Sequence, residues 1–116
     1  MFEIVSATRL AAPAFAESPL GTSLARVAKD RRLSPQIAHD NSRGLPDIYN
    51  ARIDAAADGD VLVFVHDDVW IEDFYFADRI AEGLKQFDVI GLAGNTRRFA
   101  GQKDWAHGPD GKLDLP

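Results

Sequence analysis

His66, Asp67 and Asp68 stand in a row directly after the apolar run Val61-Leu-Val-Phe-Val65. Adjacent carboxylates repel each other, and keeping them together calls for a cation or for solvent. Oxygen-rich groups suit hard divalent ions such as Mg²⁺ and Mn²⁺, and Mn²⁺ also tolerates imidazole. An ion held there would neutralise a diphosphate and stabilise it as a leaving group. The structural alternative is that one aspartate caps the helix that follows while His66 bonds to a neighbouring loop.

Further groups share that chemistry. Asp40-Asn41-Ser42 offers a carboxylate for a ring N–H or a sugar hydroxyl, or else forms an ordinary Asx turn into Gly44. Gly44-Leu-Pro-Asp-Ile-Tyr49-Asn50 is a glycine-bearing loop entering a helix, which favours an anion at its backbone N–H groups. Asn50 lies one turn in, where packing is its alternative role. Neither G-x-G-x-x-G nor a Walker lysine is present, so dinucleotide and P-loop readings fail. Arg97 and Arg98 follow Gly94-Asn95-Thr96 and could clamp phosphate oxygens, or simply be solvated. His39 and His107 are isolated and read as surface residues.

The elements that must position these groups follow from pattern. Phe2–Ala7 reads as a first strand and Ala11–Ala16 as a loop of small residues. Ser18-Pro19 then supplies an N-cap and a first-turn proline. Leu20, Leu24 and Val27 carry the helical spacing onward to Lys29. Pro35–Ala38 is a short second strand. A second helix starts at Pro46, with Ile48, Ala51 and Ala55 on one stripe and Tyr49, Ile53 and Ala56 beside it, and Asp58-Gly59 ends it. Val61–Val65, apolar throughout, predicts a strand buried on both faces of a parallel sheet. Asp73 opens a third helix with Phe74, Ala77, Ile80, Ala81 and Leu84 inward, and Asp88–Ala93 is a fourth strand. Alternating strands and helices of these lengths imply right-handed βαβ units around a parallel sheet. The expected architecture is α/β, with three layers (α/β/α) and a mainly parallel, Rossmann-like sheet. Residues 1–98 make the α/β domain, and residues 99–116 an irregular C-terminal segment with a short strand near Trp105. Ligands of such sheets sit at the carboxyl ends of the strands. The acidic run and Asp40 therefore belong on one rim.

Composition narrows the partners. A chain of 116 residues with 46% hydrophobic and 27% charged residues suits one globular domain. The net charge of −5 leaves no basic surplus for nucleic acid. Cysteine is absent, which removes disulfides and thiolate metal sites. No apolar stretch spans a membrane, and Met1-Phe-Glu-Ile lacks a signal-peptide start, so a cytoplasmic location is expected.

Four segments together resemble the nucleotide-binding half of GT-A glycosyltransferases of the family-2-like kind. They are Ile37-Ala-His-Asp40-Asn41, Gly44-Leu-Pro-Asp-Ile-Tyr49-Asn50-Ala, Val63-Phe-Val-His66-Asp67-Asp68-Val69 and Ile90-Gly-Leu-Ala-Gly94-Asn95. The likeness runs from Phe2 to about Arg98 and is nearest to a branch whose third strand ends in His-x-Asp-Val. It implies that Asp68, with His66 in the first acidic place of the D-x-D motif, holds Mn²⁺ or Mg²⁺ on a nucleotide-diphosphate sugar, a UDP-sugar being favoured. It further implies that Ala7, Thr8 and Arg9 cradle base and ribose, and that Asp40 reads the base. Asn41, Asn50, Asp67 and Arg97 stand as further substrate contacts. Tyr49 replaces the arginine of the family's small-residue-Arg-Asn segment.

The expected task is binding a nucleotide-diphosphate sugar for transfer of the glycosyl group to an acceptor hydroxyl. The catalytic base is not evident in this chain: Asp104, Asp110 and Asp114 lie in glycine-rich irregular sequence. The family's acceptor-binding half is likewise not evident, which implies a truncated form of the fold, as a fragment of a longer enzyme or as a truncated relative. One alternative is a binding module that works with a partner or as a homo-oligomer. A second is a receiver-like or phosphatase-like doubly wound domain. Its late lysine would have to be Lys85, Lys103 or Lys112.

Overall fold

The computed structural model describes residues 1–92, 99–102, 104 and 106–113. Three parallel strands form the sheet, β1 (Phe2–Ala7), β2 (Leu33–Ala38) and β3 (Val61–Phe64), in the order β2-β1-β3. Helices α1 (Ala12–Ala16) and α2 (Pro19–Val27) join β1 to β2, α3 (Leu45–Ala55) joins β2 to β3, and α4 (Phe76–Leu84) follows. The chain divides into two compact units, Met1–Ala81 and Glu82–Pro116.

β1 is the central strand because it pairs on both sides, Ile4 standing beside Pro35 of β2 and Val63 of β3. Ile4, Val5 and Ser6 are accordingly almost wholly buried. Successive side chains alternate between faces. Ile4 packs with Phe15, Leu20, Leu24 and Ile71, and Leu33, Ile37, Val63, Val65 and Phe76 close around that cluster. The alternate face carries Glu3, which α3 meets through Arg52. The β1-to-β2 and β2-to-β3 crossovers run in opposite directions along the sheet; Leu20 and Leu24 of α2 pack with Ile4, and Arg52 of α3 meets Glu3.

Local rules explain α2. Ser18 Oγ accepts the Gly21 N–H at 3.1 Å, Pro19 occupies the first turn, and Leu20, Leu24 and Val27 face the core. The Ala11–Ala16 segment is a helix and not the expected loop. Pro13 fits its first turn and the Phe15 N–H bonds to the Ala11 carbonyl, while the buried Phe15 ring fastens it to the core.

Three other expectations need correction. β3 is parallel but not buried on both faces. It borders only β1 among the described residues, and Phe64 at its end is 40% exposed. The third helix begins at Phe76, since Asp73 turns the chain beforehand by accepting the Tyr75 N–H at 2.8 Å. Phe74 is therefore exposed ahead of the helix and not on its inner stripe. Finally, Asp88–Leu92 forms no strand; Val89 and Leu92 are 87% and 97% exposed. With no paired neighbour, an apolar β-branched run has no ladder to hold it extended. Ala93 of that run and the strand expected at Trp105 lie outside the described residues. Nearby, His107 and Leu113 form an isolated antiparallel bridge, and His107 Nδ1 lies 2.9 Å from Asp104 Oδ1, which holds the Asp104 carboxyl below its usual range. No helix among the described residues is long and apolar enough to cross a membrane.

Surface electrostatics centre on Arg32. It donates to Asp30 Oδ1 and Oδ2 at 2.9 and 2.7 Å and to Asp78 Oδ1 of α4 at 2.7 Å. Its guanidinium and backbone N–H hold the Asp30 carboxyl down to about 2, and the guanidinium lowers Asp78 as well. A depressed folded-state value contributes stability above the ordinary carboxylate value that is lost as pH falls through the folded one. Thermal melts should therefore be flat above about pH 4 and fall towards pH 2. Arg32→Gln should flatten that acid limb. Because these groups are exposed, added salt should shrink the effect.

Candidate functional site

The carboxyl ends of β1, β2 and β3 are tied into one rim by hydrogen bonds between their loops. The Thr8 N–H donates to the Ala38 carbonyl at 3.0 Å, continuing the ladder one residue past the strands. The Asp40 N–H then donates to Leu10 O at 3.0 Å and the Asn41 N–H to Thr8 O at 2.8 Å. On the other side, the Thr8 hydroxyl donates to Asp67 Oδ2 at 2.6 Å and accepts the Leu10 N–H at 3.1 Å. The loop after β1 leads into α1 and α2, and the loop after β2 leads into α3. Thr8 thus bonds to Asp67 on one side and to Asn41 on the other, with Asp40 held against the same β1 loop.

The two adjacent aspartates have different jobs. Asp67 is half-buried, its carboxylate is clasped by Thr8, and its carbonyl accepts the Leu20 N–H at 3.1 Å. Asp68 and His66 are exposed, and no other described residue engages either side chain. Residues 66–69 form a turn closed by the Val69 N–H and the His66 carbonyl at 3.3 Å. Neither aspartate caps α4, which starts well beyond them. Among the described residues no three His, Cys, Asp or Glu side chains come together as a metal-holding cluster. The turn thus carries the exposed side chains of His66 and Asp68 beside the half-buried Asp67.

Asp40 has φ 48°, the one positive value at a non-glycine position among the described residues. Aspartate tolerates this left-handed conformation better than most residues. Its side chain is exposed at the rim. Asn41 uses its side chain locally, accepting the Arg43 N–H at 3.2 Å and donating to the Arg43 carbonyl at 2.8 Å. That is the Asx-type alternative, and it spends the amide on the approach to α3. Ala7 ends β1 half-buried, Arg9 is exposed in the loop beyond, and Asn50 is exposed on α3. Arg97 lies outside the described residues.

Four features escaped the sequence reading. His39 is half-buried; its ring meets Phe15 edge-on at 5.1 Å, and its Nδ1 is buried without a partner among the described residues. Ser6 Oγ is likewise buried and unpaired on β1. On the α3 side, Arg52 donates Nε and Nη2 to the two Glu3 carboxylate oxygens, each at 2.6 Å, with Glu3 only 7% exposed. Tyr49 stacks on Phe64 at 4.5 Å, and burial pushes its phenol up. A glutamate inside a strand was the available signal, since buried carboxylates are kept only with partners. Compared with family models, curated proteins and solved structures, the chain matches none.

Proposed function

We propose that the rim at the carboxyl end of the sheet binds a nucleotide-diphosphate sugar and presents it for glycosyl transfer to an acceptor hydroxyl. On this reading the protein is a three-layer, GT-A-type α/β domain of the family-2-like kind. The observation carrying it is the convergence of the loops after three parallel strands on Thr8, Asp40 and Asp67, with Asp68 and His66 left exposed beside them. Asp40 would accept N–H groups of a base, and the backbone from Ala7 to Arg9 would line the ribose.

The donor set suits a divalent ion shared between protein and ligand. Such ions are commonly held by one or two side chains together with substrate phosphates, so His66 and Asp68 are enough without a third protein donor. When bound, the ion would offset charge on the departing diphosphate. The chain's own part is to hold Asp68 at the tip of a turn whose base is fixed by Thr8 and Asp67.

Calorimetry with a panel of nucleotide sugars, with and without Mn²⁺, tests the reading. UDP-sugars should bind best and Mn²⁺ should strengthen them. Asp68→Ala should remove the Mn²⁺ effect while changing stability by less than about 0.5 kcal/mol, as expected of an exposed side chain. Equal binding by the variant would take Asp68 out of the site. Tight binding without turnover would favour the module that acts with a partner.

A further inference from the structure

Helix α3 is anchored far more lightly than α2. None of its 11 residues is buried, whereas α2 buries Leu20, Gly21, Ser23, Leu24 and Val27. Beneath α3 lie Val5 and Glu3 of the central strand, 1% and 7% exposed. Among the described residues its named side-chain contacts with the sheet are the Arg52–Glu3 ion pair and the Tyr49–Phe64 stack. Both flanks are fixed without it. Asp40 and Asn41 are bonded to the β1 loop, and the Val61 N–H donates to the Met1 carbonyl at 2.9 Å. The terminal ammonium of Met1 adds a contact to Asp60 at 3.4 Å. The helix also lacks a side-chain cap at Gly44, and it ends at Ala56 in extended backbone, ψ 141°.

We propose that α3 is a hinged strap that opens from the sheet as a unit, pivoting at Arg43–Gly44 and Ala56–Gly59, with Arg52–Glu3 as its latch. Opening uncovers Val5 and the half-buried Ile48 and Tyr49 but no fully buried residue of α3 itself, and the Arg52–Glu3 pair is the polar contact that resists it. Once open, both charges regain water. Closed without Arg52, the Glu3 carboxylate is stranded, which drives the strap open. The pivot also touches the rim, because the Asn41 side chain holds both backbone groups of Arg43. This coupling to ligand, which rests on the nucleotide-site reading, means that a diphosphate nucleotide ordering Asp40 and Asn41 holds the strap shut. By reciprocity, opening weakens its binding.

Hydrogen exchange read by mass spectrometry tests this on the full chain, on Arg52→Met, on Arg52→Lys and on the double variant Glu3→Leu with Arg52→Leu. In the parent, amides of Ile48–Ala55 should exchange at least about tenfold faster than those of Leu20–Val27. Arg52→Met should accelerate α3 by about a further tenfold and leave α2 unchanged, with Arg52→Lys between the two. The double variant, which leaves no stranded charge, should return to the parent rate or below. A common rate for α3 and α2 in the parent, or equal acceleration of both by Arg52→Met, would overturn the strap. Uridine diphosphate added to the parent should slow α3 alone. If the variants behave as stated and the nucleotide changes nothing, the strap stands and its link to the ligand is refuted.

Discussion

Thr8→Val is expected to destabilise the protein by about 2 kcal/mol and to weaken ligand binding, although it changes neither shape nor volume appreciably. Thr8 is 3% exposed, and its hydroxyl has two bonds, one from the Leu10 N–H and one to Asp67 at 2.6 Å. The second is short enough to be charge-assisted. Valine leaves the part-buried Leu10 N–H without its acceptor and the half-buried Asp67 carboxylate without its donor, and the unpaired carboxylate is the costlier loss. The Asp67 loop then loses its tie to β1, and Asp68 moves with it. Thr8→Ser keeps the hydroxyl and should recover most of both effects. Chemical denaturation together with calorimetry measures the two quantities. A stable Thr8→Val protein with unchanged affinity would mean that the clasp positions nothing.

The second large effect is expected at Gly21. In an isolated helix, Gly→Ala gains roughly 1 kcal/mol. Here the sign should reverse, with a net loss of about 2–3 kcal/mol from overpacking. A Cβ at Gly21 would run into the backbone carbonyl of Phe15, with Ala16 close behind, and neither can swing away as a side-chain tip would. Gly21 lies in the first turn of α2, where its N–H is the one Ser18 caps, so the helix cannot slide to relieve the clash without losing its cap. Against a total stability of typically 5–15 kcal/mol this is a visible fraction. A melting temperature equal to or above the parent's would contradict the close approach of α1 and α2.

Much of this was legible in the residues, because local rules and tertiary structure agree there. Ser18-Pro19 signals the start of α2, and Leu20, Leu24 and Val27 mark its inner face. The alternation of strands with helices signals parallel pairing, and rim residues follow from strand ends. What was not legible depended on partners distant in sequence. Val61–Val65 is apolar enough for a central strand, yet the central place went to β1, and nothing in either run of residues ranks them. The division of labour between Asp67 and Asp68 depends on Thr8, 59 residues away. Arg52 reads as a solvated helix residue until Glu3 is found beneath it. The apolar run from Asp88 has the pattern of a strand, but pattern alone does not supply a neighbour to pair with.

The proposed ligand sits where the loops after the three strands converge. Backbone amide shifts during titration of the labelled protein with uridine diphosphate and Mn²⁺ test it most directly. Saturable changes should be confined to three stretches, Ala7–Leu10, His39–Asn41 and His66–Val69. Shifts gathered elsewhere, or none at saturating nucleotide, would contradict it.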